Sequence, residues 1–271
     1  MEQAADLTYA TYLRLPGLLD QQVRKGPPEA HDELLFIAVH QAYELWFKVL
    51  LHELSDARDW MLVGETRPPR ERLRRCHEIE RVLVGQLDVL DTMAPRDFLG
   101  FRDSLGSASG FQSAQYREVE YLSGLHDEEW LARAGWLEKD DRARLERRLA
   151  EPTVWDGFVS LLERAGFDAD TRERRVAACA EIARDRERHG DLWELADGLL
   201  RHDQLWSLWR TRHLLTVSRQ IGSKPGTAGS TGTGYLGGRV GARFFPELWE
   251  APGELDRPGG GQDDGTSHAR T

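Results

Sequence analysis

Histidine is the residue type in this chain with the most chemical potential. There are nine. No GxSxG nucleophile motif is present. The glycine-rich stretch Gly222–Gly238 follows a helical pattern and does not lead from a strand into a helix, so it is a poor phosphate or dinucleotide loop. The two cysteines, Cys76 and Cys179, form neither a disulfide framework nor a zinc knuckle. His31, His52, His77, His126, His189 and His268 stand in polar or terminal contexts and read as surface residues. His40 is different: Phe36, Tyr43 and Phe47 share its helical face. His213 shares a stripe with Trp206, Trp209 and Val217, and His202 lies further back on the same stripe. Eleven residues separate His202 from His213, roughly 16 Å along a helix, so one metal cannot use both. A histidine among aromatic walls suits a flat, apolar cofactor such as haem, which needs one strong axial nitrogen and a large apolar slot. The absence of CxxCH excludes a covalently attached c-type haem. Spacing alone permits such a protein without requiring it. A core histidine on each face remains the plainer alternative.

The elements that would position these residues are helices. Proline is scarce between Ala30 and Arg67 and between Glu151 and Lys224. Leu73, Cys76, Ile79, Leu83, Leu87 and Leu90 recur every three or four residues, as do Leu192, Leu195, Leu199, His202 and Trp206. Residues 32–54 are apolar nearly all round, with a polar strip at Gln41, Glu44, Lys48 and His52, which predicts a helix buried on most of its surface. No segment alternates with period two, so no sheet is expected. The expectation is an all-α helical body over residues 1–251 as a single domain. A charged helical insertion is expected at about 137–190, with apolar patches at 154–162 and 176–182, and a frayed tail at 252–271. Half of the 26 glycines follow Ile221.

Composition narrows the setting. The chain has 271 residues, 40% hydrophobic and 30% charged, with a net charge of -10. That suits a globular protein and argues against nucleic acid or an anionic membrane as partner. No signal-like N-terminus and no continuous 18-residue apolar run are visible in the sequence. A reduced, cytoplasmic location is expected.

Four blocks carry a resemblance to a known family: TYATYLRLPGLLDQQ (8–22), HDELLFIAVHQAYELWFKVLLHEL (31–54), DFLGFRDSLGSASGFQSAQYREVEYLSG (97–124) and WRTRHLLTVSRQIGSKPGTAGSTGTGYL (209–236), the last followed by RFFPELW (243–249). In this order they resemble the tryptophan 2,3-dioxygenase family. The resemblance implies an all-helical bundle of the tryptophan/indoleamine dioxygenase type and haem b, ferrous for activity. It also implies a homotetramer built as a dimer of dimers, and insertion of both atoms of O₂ across the indole C2–C3 bond of L-tryptophan to give N-formyl-L-kynurenine. It assigns His213 as the axial iron ligand and His40 as the distal histidine that accepts the indole N–H. Arg102 becomes the partner of the substrate carboxylate, and Thr227 the neighbour of its ammonium. Phe36 becomes an aromatic wall, and Ser109 and Gly110 line the distal side. Tyr9, Tyr12 and Leu13 become a segment that completes a neighbouring subunit's pocket.

The chemistry agrees with these roles. A zwitterion needs a cation with a planar fork for its carboxylate, and an indole needs aromatic walls with one acceptor for its single donor. The indole N–H is too weak an acid for imidazole to deprotonate, so His40 is assigned to orientation more than to base catalysis. Three positions depart from the family pattern. Ala228 and Thr231 replace residues in the usual GTGGSSG loop, and Phe98 stands where some members have tyrosine. These departures open one alternative, a specialised relative that acts on a modified tryptophan or stops at monooxygenation to an oxindole. A haem-based binding or sensing protein without turnover and a cofactor-free helical interaction module are alternatives from other classes.

Overall fold

The computed structural model describes residues 7–227 and 232–256, and Ala228, Thr231, His268 and the tail beyond residue 256 lie outside them. Two short helices, α1 (Tyr9–Tyr12) and α2 (Leu15–Leu19), precede two long ones, α3 (Glu33–Leu62) and α4 (Arg67–Leu90). Short helices α5 (Pro95–Arg102), α6 (Ala114–Leu122) and α7 (Glu128–Arg133) follow. The charged stretch contributes α8 (Lys139–Ala150), α9 (Val154–Arg164) and α10 (Arg172–Arg184). The longest helix, α11 (Gly190–Ile221), leads through a loop to α12 (Thr233–Val240) and α13 (Pro246–Glu250). The described residues contain no strand, so the fold is all-α.

Local chemistry sets the boundaries. Proline occupies the first turn of α4, α5 and α13, where its missing N–H costs nothing. Thr153 and Asp156 form a reciprocal capping box that starts α9. Gly222, at φ +57°, ends α11 in a conformation that favours glycine.

The core is a layer in which α3 packs against α4 and α9, while α4 and α6 bring in α11 and α8. Leu50, Leu54, Leu83, Leu87, Leu195 and Leu199 are fully enclosed there. Each such side chain contributes roughly 1.5–3 kcal/mol of burial. Phe158, Leu161 and Ile182 of the charged stretch join the same cluster. By length and composition, α3 is apolar enough to cross a membrane, a signal that a search for unbroken apolar runs passes over. In the fold it is the helix around which α4, α6 and α9 gather. The expectation that it is buried on most of its surface does not hold in a single chain, because Leu34, Leu45 and Val49 remain exposed.

Two buried polar groups fix the long helices. His202 is fully enclosed, with one ring nitrogen on Glu80 and the other 3.0 Å from Ser123 Oγ. Beside it, Asp203 Oδ2 accepts from the N–H groups of Phe244 and Phe245 and from Trp249 Nε1, at 2.9, 3.2 and 2.9 Å. That carboxylate pins the RFFPELW block onto α11. The surface reading of His77 is corrected. It is buried between α4 and α11 with Nε2 2.9 Å from Gly198 O. Gly198 makes the approach possible, since a Cβ there would press on Leu73 Cδ1 at 3.2 Å.

Candidate active site

One cavity lies among α3, α5, α6, α11 and the loop leading into α12, with about 1600 Å³ free of protein atoms out to its open mouth. It brings together Phe36, His40, Arg102, Ser109, Gly110, His213 and Thr227. Tyr9, Tyr12 and Leu13 do not line it. They are 76%, 70% and 40% exposed on α1 and just after it.

His40 projects from α3 with its ring against Phe36, the centroids 4.1 Å apart. Its Nδ1 lies 2.7 Å from Phe36 O. A carbonyl only accepts, so Nδ1 carries the proton and Nε2 presents a lone pair. Burial lowers the pKa of His40, against a raising contribution from its bond to Phe36 O and from Glu44. The ring is therefore neutral near pH 7 and is an acceptor at Nε2.

His213 projects from α11 and stacks on Trp209, with centroids 4.9 Å apart and planes 13° from parallel. It makes no hydrogen bond among the described residues. Burial, reinforced by His40 nearby, lowers its pKa to about 4. It is thus a neutral imidazole with a free lone pair, while both nitrogens of His202 are committed to Glu80 and Ser123. Of the two histidines on this stripe, His213 is the one whose ring nitrogens no bond among the described residues occupies. Among the described residues no three His, Cys, Asp or Glu side chains converge to hold a bare metal ion. A metal at His213 would have to bring its other ligands with it, as a porphyrin does. A large cavity walled by Phe36, Leu87, Leu90 and Val217, with the His213 imidazole unbonded on one side and His40 Nε2 open on another, fits that group.

Arg102 ends α5, and the placement of α5 depends on the turn before α3. The buried Glu33 carboxylate accepts from Lys25 N at 2.7 Å and Gly26 N at 2.9 Å. Gly26 sits so close to Phe101 that a Cβ there would come within 2.8 Å of Phe101 Cβ. This contact seats Phe101, and Arg102 follows it. Phe98 packs on Phe36 and Phe101 in the same aromatic cluster and also lines the cavity. Arg102 Nη2 donates to Pro225 O at 2.5 Å and Thr227 Oγ1 donates to Ala108 O at 2.6 Å. These two bonds fasten the loop after α11 to the segment after α5. They leave the other guanidinium N–H groups and the Thr227 oxygen lone pairs for a ligand. Ser109 is partly spent in a capping box with Gln112 that starts a 3-10 turn at Gly110.

Several wall residues escaped the sequence reading. Glu44, one helical turn beyond His40, accepts from Ser113 Oγ at 2.6 Å and Gln115 Nε2 at 2.8 Å, tying α3 to α6. The i, i+4 spacing from His40 was the available signal. Arg117, Arg210 and Arg239 gather on Glu120. Tyr235 bonds Arg117. These partners are remote in sequence, and only the Arg117–Glu120 pair at i, i+3 hinted at them.

A family model described as tryptophan 2,3-dioxygenase matches residues 1–174 and 158–255. A tryptophan 2,3-dioxygenase of Nocardioides sp. is 52% identical over 258 residues, covering 94% of this chain and 97% of the relative. Relatives of the same name from Caulobacter vibrioides and Myxococcus xanthus are 41% and 40% identical. They cover 91% and 94% of this chain and 97% and 92% of their own length.

Proposed function

Because the chain belongs to the tryptophan 2,3-dioxygenase family, we propose that its cavity binds haem b on His213 and L-tryptophan beside it. The proposed reaction inserts both atoms of O₂ across the indole C2–C3 bond to give N-formyl-L-kynurenine. The observation that carries this reading is the single cavity holding a neutral, unpartnered His213, a lone pair at His40 Nε2, and Arg102 with Thr227. When bound, ferrous haem supplies the activation of O₂, which no side chain can do. Both oxygen atoms end in the product, so no reductant is consumed per turnover.

The chain's own groups hold and orient the substrate. Arg102 offers a planar fork to the carboxylate. The Thr227 hydroxyl already donates to Ala108 O, so its oxygen accepts from the ammonium. His40 Nε2 accepts the indole N–H and thereby sets the ring's orientation. Phe36 and Phe98 wall the ring and keep water out. Ser109 and Gly110 bound the distal side. These anchors hold both ends of the molecule, which a reaction with two oxygen transfers requires.

We further infer a homotetramer, a dimer of dimers in which Tyr9, Tyr12 and Leu13 cover a neighbour's cavity. Support comes from their exposure, from the absence of any buried residue in α1 and α2, and from the apolar Leu34, Leu45 and Leu215 left bare on the long helices. The same reading takes residues 1–251 as one catalytic domain that contains the charged 137–190 stretch, in a cytoplasmic enzyme. The test is product identification by mass spectrometry after adding L-tryptophan and O₂ to the ferrous protein. A mass matching N-formyl-L-kynurenine supports the reading, and unchanged tryptophan from a protein shown to contain haem contradicts it.

A further inference from the structure

The cavity wall carries more positive charge than its fold can neutralise. Arg117, Arg210 and Arg239 all line it. Arg117 and Arg210 are almost wholly buried, and Arg239 keeps about a fifth of its side chain exposed. Their carboxylate partners are Glu120, fully enclosed, and Asp127, which Arg239 Nη1 meets at 3.1 Å. Glu120 accepts from Arg117 Nη1 at 2.6 Å, from Arg210 Nη2 at 2.8 Å and from Arg239 Nη2 at 2.9 Å. Three guanidiniums thus share two carboxylates. Including Arg102 and Glu44, which also line the cavity, leaves the excess at one positive charge.

The hydrogen-bond inventory points the same way. The Nε–H groups of Arg117 and Arg239 are buried without an acceptor. A buried donor left unmade is costly, and a buried excess charge more so. A ligand that brings a carboxylate to this part of the wall would relieve both. The substrate's carboxylate already has a place at Arg102, whose free N–H groups lie at the end of α5 by the loop. The haem proposed above brings two further carboxylates on an otherwise apolar disc.

We propose that Arg117 and Arg239, on α6 and α12, form the seat for a carboxylate side arm of the haem, with Arg210 and Glu120 as its rigid backing. This rests on the haem reading of the cavity.

The experiment titrates the full-length haem-free protein with haemin and with haemin dimethyl ester, whose two carboxylates are masked, following the visible absorption. Wild type should prefer haemin by roughly 10- to 100-fold, the value of charge-assisted hydrogen bonds. Arg239→Gln, with helical circular dichroism intact, should bind the two within about threefold of each other. Arg239→Lys keeps the charge but not the fork. It should give an intermediate ratio, and it serves if the glutamine variant does not fold. Wild-type discrimination persisting in both variants would overturn the seat while leaving haem binding standing. So would its collapse in Arg102→Gln instead. Failure of wild type to bind either porphyrin would overturn the haem reading and the seat with it.

Discussion

The two histidines on the α11 stripe should respond to substitution in opposite ways. His202 is fully enclosed and bonds the equally enclosed Glu80, whose second oxygen already lacks a partner. Removing the imidazole leaves a buried carboxylate with nothing to hold it, a loss of about 3–5 kcal/mol. For a chain of this size that lowers Tm by roughly 5–9 °C. His213 makes no hydrogen bond in the described structure, and its main contact is the stack on Trp209. Replacing it in the haem-free protein costs only the stacking, about 0.5–1.5 kcal/mol. The crossed expectation is that His202→Ala is much less stable yet keeps a histidine-ligated ferrous spectrum. His213→Ala keeps its haem-free Tm within a few degrees and loses that spectrum. Thermal circular dichroism on haem-free samples and visible titration with haemin read the two effects separately. A folded His202→Ala lacking the signature, together with a His213→Ala that retains it, would refute the reasoning and move the ligand three turns along α11.

Other outcomes follow from the same geometry. Arg102→Ala should weaken tryptophan binding by roughly 2–5 kcal/mol at normal haem content, read as a raised KM; an unchanged KM removes Arg102 from the clamp. His40→Ala should be milder, about 1–3 kcal/mol, because the lost acceptor served a neutral donor. Burial lowers the pKa of His77 to about 4, below an unfolded value near 6.5, so the unfolded chain takes up the proton first. Its contribution to stability is therefore complete above about pH 6.5 and declines as pH falls towards 4, reaching a loss of about 2 kcal/mol at pH 5. Urea titrations at pH 7 and 5 should show that loss shrinking in His77→Leu, and an equal loss in both proteins would refute it. Deleting residues 1–15 should lower both oligomeric mass by light scattering and tryptophan affinity, whereas a fully active monomer would contradict completion of the pocket in trans.

Spacing made the long helices and their two aromatic-faced histidines legible, while Arg102, Thr227, Ser109 and Gly110 were assigned only through the family resemblance. The 3.6-residue recurrence of Leu73 to Leu90 and of Leu192 to Trp206 marks the faces that α4 and α11 bury, because burial of one stripe is what a helix needs in water. His40 and His213 stood out because polar rings on aromatic stripes demand a reason. His77 did not, because its neighbours in sequence are charged and its enclosure depends on Gly198, 121 residues away. The seat formed by Arg117 and Arg239 was hidden for the same reason: its parts come from helices 122 residues apart and meet on Glu120 only through tertiary packing. In α3 the pattern identified an apolar helix but not how much of it one chain covers, since exposed Leu34 and Leu45 look like core in sequence. Ala228 and Thr231 fall outside the described residues, so their effect on the loop is a matter for the product assay.

That assay is the most direct test of the central claim. The ferrous protein is supplied with L-tryptophan and ¹⁸O₂ without added reductant, and the product is weighed by mass spectrometry. With Arg102, Thr227 and His40 holding both ends of the substrate, the predicted product is N-formyl-L-kynurenine carrying two labelled oxygen atoms. A product with one labelled atom, formed only when reductant is added, would contradict the dioxygenase account.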